Sequence, residues 1–487
     1  MKLEDLQRYA LQNGFFFPTA QVYPDSPAGF WDYGPLGTLL KNRFIELWRR
    51  ELVRNGNMWE IDGSQILPRK VFVASGHLEG FTEPVTRCAK CDAYFRVDHL
   101  LAEMGITRYS EKSSIEGVRE EMERVDLRCP SCGAPLREVF PFNTMFRLSI
   151  SPRGEEAYLR PETCQTIFID FPILSKTLGV RLPLSIAQVG KSFRNEISPR
   201  QGLLRLREFY QAEIETFFLP SSQDVPGFER YADTILPLYS RGEGEDRIQR
   251  VTVREAVSRG MIPHPLFAYH LALIVNFYEK AGIDMGRCRF RILDEVERAF
   301  YSQLAFDFEV QTDVGWIELV ACNYRGQYDL SRHSQVSGQS FTIFHGGERH
   351  IPHVFELSMG VDRSLYAILD HNLTVDEKGP TLRIKPYLAP IQVAIFPLVA
   401  RDGLPERAEA IRQQLVRDFD LYYDESGSIG KRYRKADSIG VPVCITVDYD
   451  TLRDGSVTIR DRDTKEQVRV MPSELKARLQ QILAYPA

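Results

Sequence analysis

Four cysteines of the chain fall into two hooks, Cys88-Ala-Lys-Cys91 and Cys129-Pro-Ser-Cys132, the second followed by Gly133. A fold that uses both must bring them to one point and loop residues 92–128 out as a lobe. Four thiolates arranged as a tetrahedron suit Zn²⁺, and with every position filled by protein no place is left for a reacting water. The spacing therefore predicts a structural zinc site. Paired cysteines without a secretory segment favour metal over disulfide. The opening run MKLEDLQRYALQNGFF has neither a long apolar core nor a small-residue cleavage site. Apolar stretches such as VCITV at 443–447 stop far short of the roughly 20 residues that cross a bilayer. The expectation is a cytoplasmic protein with no membrane partner.

The 487 residues predict two to four domains. Behind Pro35, the residues Leu39, Leu40, Phe44, Leu47, Trp48 and Leu52 recur near helical spacing, so 35–54 reads as one amphipathic helix. An alternating, strand-like run follows at 58–68, and a charged, helix-prone stretch at 99–124. From 139 to 219 β-branched and aromatic runs separated by turn residues suggest an antiparallel sheet. Residues 221–300 look richer in helix, with a polar loop at 240–247. Strands are expected again at 305–320 and 339–345, then a helix at 359–370. Past Lys385-Pro386 short strand candidates alternate with helices at 405–418, 427–439 and 472–484, the pattern of a separate α/β domain. The fold class is α+β, divided as 1–85, 86–138 (the cysteine lobe), 139–385 (with 221–300 as a helical insertion) and 386–487.

Gly190-Lys191-Ser192 is not a phosphate loop, because the glycine that motif needs upstream is Ser185 and the flanks read as strand. The same place carries a better nucleotide signal. Phe193-Arg194-Asn195-Glu196 ends one strand, a loop with Arg200 and Arg205 follows, and Arg207-Glu208-Phe209 opens the next. Guanidinium groups fork onto phosphate oxygens, a carboxylate accepts from the adenine amine, and a phenyl ring offers a face to the base. Downstream, Glu356-Leu-Ser-Met-Gly360-Val-Asp-Arg363 runs from a strand into a helix, with Arg363 on the first turn and Gly360 leaving the backbone open to a ligand.

Taken together these segments resemble the three signature motifs of class II aminoacyl-tRNA synthetases. More closely, the chain resembles the homodimeric glycyl-tRNA synthetases nearly end to end, through W-D-Y-G-P-L-G (31–37), S-G-H (75–77), F-R-V-D-H-L (95–100), R-P-E-T-C-Q (160–165), F-R-N-E-I-S-P-R (193–200), R-L-R-E-F (205–209), G-W-I-E-L (315–319), Y-D-L (328–330) and E-L-S-M-G-V-D-R (356–363). The resemblance implies an antiparallel-sheet catalytic domain with a zinc-binding insertion and a C-terminal α/β anticodon-binding domain. It implies a dimer built on the element ending at Pro68, and partners glycine, ATP, Mg²⁺ and tRNA-Gly. The implied reaction is formation of glycyl-adenylate, then transfer of glycine to the end of tRNA.

By the same resemblance, Arg194, Glu196 and Arg363 carry the catalysis. The ATP site comprises Arg194, Asn195, Glu196, Leu204, Arg205, Leu206, Arg207, Glu208, Phe209, Glu318, Leu319, Gly360, Val361, Asp362 and Arg363, with Glu318 as the Mg²⁺ ligand. Glycine falls to Arg96, Glu162, Glu213, Glu356 and Ser358. The chain departs from the family's usual residues at Cys164, Leu357 and Ala321–Asn323, close to that pocket. In the last domain Lys431, Arg432, Tyr433 and Arg434 place cations around an aromatic ring, a pattern that binds a phosphate backbone and stacks an unpaired base. With 61 Lys+Arg against 66 Asp+Glu and a net charge of −5, any such surface must be local. Two readings compete: a class II synthetase for another small amino acid, and a synthetase-like nucleic-acid-binding subunit without activity.

Overall fold

The computed structural model describes residues 3–106, 108–109, 113–179, 182–197, 199, 201–240, 247–295 and 297–485. Arg200 and most of the polar loop at 240–247 lie outside them. Nine strands form the central sheet: β1 (Trp59–Glu60), β2 (Leu184–Phe193), β3 (Glu208–Phe218), β4 (Ile235–Ser240), β5 (Arg247–Thr252), β6 (Cys288–Ile292), β7 (Leu304–Thr312), β8 (Gly315–Gly326) and β9 (His353–Gly360). Their order across the sheet is β5-β4-β6-β7-β8-β9-β3-β2-β1. Neighbours are antiparallel except β4 with β6 and β2 with β1.

The sheet's two faces are chemically opposite because side chains alternate along each strand. One face packs on α1 (Pro265–Lys280) and α2 (Val361–Asn372). The first of these is apolar around most of its circumference and buried from Leu266 to Val275, as such a helix must be. Its Phe267 stacks on Phe355 at 4.3 Å, and Tyr278 exchanges a hydrogen bond with Ser364 of α2 at 2.7 Å. The other face carries Gln211, Glu213, Glu215, Ser358, Glu356, Ala321 and Asn323 in cross-strand rows: Glu213 opposite Ser358 opposite Ala321, and Glu215 opposite Glu356 opposite Asn323. Farther along β3, a helix at Cys164–Thr177 closes this polar face, with Phe171 against Phe217 at 4.4 Å.

Several local expectations change. The helix from Pro35 is α-helical only to Trp48 and continues to Arg54 as a π-helical segment. The run at 58–68 is two short strands, Trp59–Glu60 and Ile66–Pro68, in different sheets. The region 221–300 is not simply helical, since it supplies β4, β5 and β6 and so widens the central sheet by three strands.

The cysteine hooks sit in a lobe with its own small core of Val97, Leu101, Val118, Met122 and Leu136. Beyond 386, a five-stranded sheet is built from Val393–Pro397, Leu421–Tyr423, Val443–Val447, Val457–Asp461 and Gln467–Val470. The first three pair in parallel and the last two run antiparallel. This part is tied to the rest by an ion pair of Arg43 with Asp420 and by the Tyr9 hydroxyl donating to the Ser438 carbonyl at 2.6 Å. Among the described residues no helix is long and apolar enough to cross a membrane.

Candidate active site

A cavity of about 680 Å³ opens on the polar face of the sheet. Its first wall is the hairpin between β2 and β3. The pair Phe193–Glu208 ends the ladder, and the Arg194 amide donating to the Arg207 carbonyl at 2.9 Å closes the base of the loop. Arg194 then reaches inward, its guanidinium 5.3 Å from the ring centres of both Phe81 and Phe209, with Nε donating to the Pro161 carbonyl at 3.1 Å. Glu196 and Arg205 line the same wall and pair with each other, Nε to Oε2 at 2.7 Å.

The opposite wall starts where β9 passes into α2. Arg363, on the first helical turn, donates to the Leu204 carbonyl at 3.2 Å and to the Glu318 carboxylate at 3.4 Å. Its contact with Leu204 joins the two segments that the sequence leaves far apart. Asp362 is held by the Tyr210 amide at 2.6 Å and by the Tyr33 hydroxyl, and burial pushes its carboxyl up to about 6. Beside Glu318 stands Asp307 of β7, pushed up to about 8 by burial and by Glu318 itself.

Glu162, Glu356, Ser358, Ala321 and Asn323 also line the cavity. Behind them lies a buried ionic cluster. Arg325 donates twice to Asp329, at 2.6 and 2.8 Å, and once to Glu356 at 2.9 Å. Glu213 accepts from the hydroxyls of Ser358 at 2.5 Å and Thr163 at 2.6 Å. Burial raises Glu213, Glu215 and Glu356, the last to about 8. For Glu162 burial acts the same way, but His77 at 3.3 Å and Arg325 outweigh it and hold that carboxyl well below the usual range. Acidic groups thus outnumber cations in a dry place, and such a site gains from a small cation entering it.

In the lobe, Cys88 and Cys132 lie 3.5 Å apart and Cys91 and Cys129 3.6 Å, with all four sulfurs within 4.8 Å of one another. A tetrahedron with bonds of about 2.3 Å has edges of about 3.8 Å, so the set fits Zn²⁺. The two hooks repeat one geometry: the Cys88 and Cys129 amides donate to the carbonyls of Ala93 and Ala134, and Asp92 and Gly133 take the left-handed conformation at the same step. Hydrogen bonds from the Cys91 and Lys90 amides lower the Cys88 thiol to about 6, easing loss of its proton.

Residues 146–372 match the family model described as the tRNA synthetase class II core domain (G, H, P, S and T), and 392–482 the anticodon binding domain. The glycine-tRNA ligase of Pyrococcus furiosus is 37% identical, with 99% of each chain aligned. That of Methanothrix thermoacetophila is 38% identical over 96% of this chain and 95% of its own. The chain belongs to the glycine-tRNA ligases. A solved structure described as the RNA binding domain of threonyl-tRNA synthetase from Cryptosporidium parvum Iowa II, 17% identical, superposes with a TM-score of 0.61 over 99% of both chains and shares the fold.

Of the residues expected at a ligase's ATP site, the cavity gathers Arg194, Glu196, Leu204, Arg205, Leu206, Phe209, Glu318, Gly360, Asp362 and Arg363. The others are not among the described lining residues. Arg207 spends its guanidinium on the carbonyls of Glu196 and Ala28, and Glu208 pairs with Lys191 across the hairpin. Leu319 and Val361 are packed in the core, and Asn195 meets the Thr144 carbonyl through its backbone. Gly360 has φ −79°, and an added Cβ would meet only the Arg363 side chain at ordinary contact distances, so the fold does not itself require glycine there.

Among the amino-acid residues, Glu213 stands one layer back behind Ser358. Arg96 is a correction: it is half-buried, paired with Glu83 and Asp98, and is not among the described residues lining the cavity. In the C-terminal patch Arg432 is likewise corrected. It is buried, donating to the carbonyls of Pro397 at 2.5 Å and Leu398 at 3.0 Å. Tyr433 is half-buried, bonded to Thr446 and covered by Arg460 at 4.6 Å, so its ring is not free to stack. Lys431 and Arg434 are exposed. Sequence reasoning missed Asp307, Tyr301 and Arg291 at the cavity, and Arg325 behind it, whereas Ala321 and Asn323, expected near the pocket, do line it. For Arg325 a signal existed, an arginine four residues before Asp329 at a strand-to-helix passage.

Proposed function

We propose that the chain activates glycine with ATP and passes the glycyl group to tRNA-Gly, and that this cavity is where both steps occur. One observation carries the reading: Arg194 and Arg363, from segments far apart in sequence, line one cavity together with Glu162, Glu356 and Ser358. The glycine ammonium meets the two carboxylates, while Arg194 neutralises the glycine carboxylate and the α-phosphate together. Phe209 packs on adenine, with Glu196 and Arg205 beside it. Arg363 covers the other side and reaches the terminal phosphates. The carboxylate oxygen attacks the α-phosphorus in line, pyrophosphate leaves, and the terminal ribose hydroxyl of tRNA then attacks the glycyl carbonyl as AMP departs. Positioning and charge neutralisation supply most of the acceleration.

Glu318, with Asp307 next to it, is the donor set for Mg²⁺, which when bound neutralises polyphosphate charge. The four cysteines hold a structural Zn²⁺. Exposed Lys431 and Arg434 offer tRNA a positive edge in the C-terminal domain. Edge strand β1, with Trp59 54% exposed, and Ile66 at 46% leave apolar groups uncovered in the segment ending at Pro68, which supports a homodimer. The divisions 1–85, 86–138, 139–385 and 386–487 are the corresponding domains. The test is equilibrium binding of a non-hydrolysable glycyl-adenylate analogue. Arg194→Ala and Arg363→Ala should each weaken it by at least tenfold, and unchanged affinity in either variant would overturn the reading.

A further inference from the structure

We propose that Tyr301 sets the size limit of the amino-acid pocket and hides Arg325 from the bound ammonium; this rests on the assignment of the amino-acid site above. The Arg325 guanidinium lies 3.7 Å from the centre of the Tyr301 ring, with Phe168 on it at 5.1 Å. Its edges are spent on Asp329 and Glu356. Tyr301 lines the cavity beside Glu162, Asn323 and Glu356, whereas Arg325 is fully buried and is not among the described lining residues. The phenol ring is therefore the wall between the cavity and the guanidinium.

That wall has two consequences. It fills the space into which a side chain on the substrate's α-carbon would extend. It also leaves the pocket showing carboxylates to an incoming ammonium while the nearest cation is covered, its positive charge drawn into the ring face. The ring is braced by its chain neighbour, which lines the cavity beside it. Phe300 packs on it at 5.1 Å, and Phe300 in turn rests on Gly76 and Gly80. At Gly80 an added Cβ would come within 3.2 Å of the Phe300 ring, and at Gly76, where φ is +82°, within 2.7 Å of the Tyr328 hydroxyl. These glycines let the Phe300–Tyr301 pair settle close to His77 and Glu162. The turn is pinned at both ends, by the Ser302 amide on the Ala299 carbonyl at 2.9 Å and the Gln303 amide on the Tyr324 carbonyl at 2.8 Å.

The test is ATP–pyrophosphate exchange with glycine and with alanine for the wild type, Tyr301→Phe and Tyr301→Ala. A single methylene in a pocket is worth roughly 10- to 200-fold in discrimination. Tyr301→Ala should raise the alanine-to-glycine ratio of kcat/KM at least tenfold, through a higher KM for glycine and measurable alanine turnover. Tyr301→Phe, which keeps the ring, should leave the alanine-to-glycine ratio within about twofold of wild type, because the ring forms the wall. An unchanged ratio in a folded Tyr301→Ala, or a Tyr301→Phe as permissive as Tyr301→Ala, would overturn the proposal. Should Tyr301→Ala not fold, Tyr301→Val carries the same prediction and the same refutation. A wild type that exchanges without glycine would instead refute the site assignment on which the proposal stands.

Discussion

Replacing Arg325 by methionine, close in length and without charge, isolates what the buried cation does. In the native protein it makes three charge-assisted bonds of 2.6–2.9 Å to Asp329 and Glu356, with Arg325 and Asp329 fully buried. Removing one partner of such a pair typically costs 3–5 kcal/mol, chiefly because the remaining charge is stranded. Glu356 is already pushed up to about 8, so at pH 7.5 it can stay protonated at little further cost, and the group left without its partner is Asp329. Arg325→Met should therefore destabilise the catalytic domain by about 4 kcal/mol in urea unfolding followed by tryptophan fluorescence. Because the cost falls on Asp329, the double variant Arg325→Met/Asp329→Asn should recover at least half of it. A loss below about 1 kcal/mol for the single variant, or no recovery in the double, would refute the reasoning.

Further outcomes follow from the same geometry. Glycine binding as the ammonium requires ionised Glu356, so KM for glycine should fall by up to roughly tenfold per unit as pH rises from 6 toward 8, then level off, and Glu356→Gln should flatten that profile. The raised carboxyl also makes stability of the glycine-free protein decline with pH between about 4.3 and 8, since over that window the unfolded chain has released a proton that the folded one retains; added glycine should oppose this in thermal unfolding. Loss of zinc, by chelation or Cys129→Ser, should loosen the lobe around Val97 and Met122, seen as faster amide exchange at 88–136 with little change in the C-terminal sheet. Lys431→Ala/Arg434→Ala should raise KM for tRNA and spare pyrophosphate exchange. Arg432→Ala should instead lower the stability of the C-terminal domain by about 1–3 kcal/mol, since it leaves carbonyls of Pro397 and Leu398 without their donor.

Much of the architecture was legible because local chemistry and fold agreed. The hairpin between Phe193 and Glu208 was legible from the strand residues on either side, although the first strand stops at Phe193 rather than Glu196 and the next opens at Glu208 rather than Arg207. The hooks at 88–91 and 129–132 announced their own convergence. Other features were obscured by competing signals. Between 221 and 300 the uniformly apolar helix Pro265–Lys280 dominates the composition and masks three strands of five or six residues on either side of it. Arg432 reads as part of a basic patch, yet it falls three residues after Ile429 and four before Ala436, on the helix face that turns inward. Arg96 stands two residues before Asp98, and spacing alone does not say that Glu83, from another strand, completes its cage. Tyr301 lies in an irregular turn with no periodicity, and its place against Arg325 is a product of tertiary packing.

Glycine-dependent ATP–pyrophosphate exchange, run across glycine, alanine and serine on the purified wild-type protein, addresses the core of the account. Rapid exchange with glycine, and rates with alanine and serine at least a hundredfold lower by about the upper range of single-methylene discrimination, is the predicted result. Equal exchange with alanine, or none with any of the three, would contradict it.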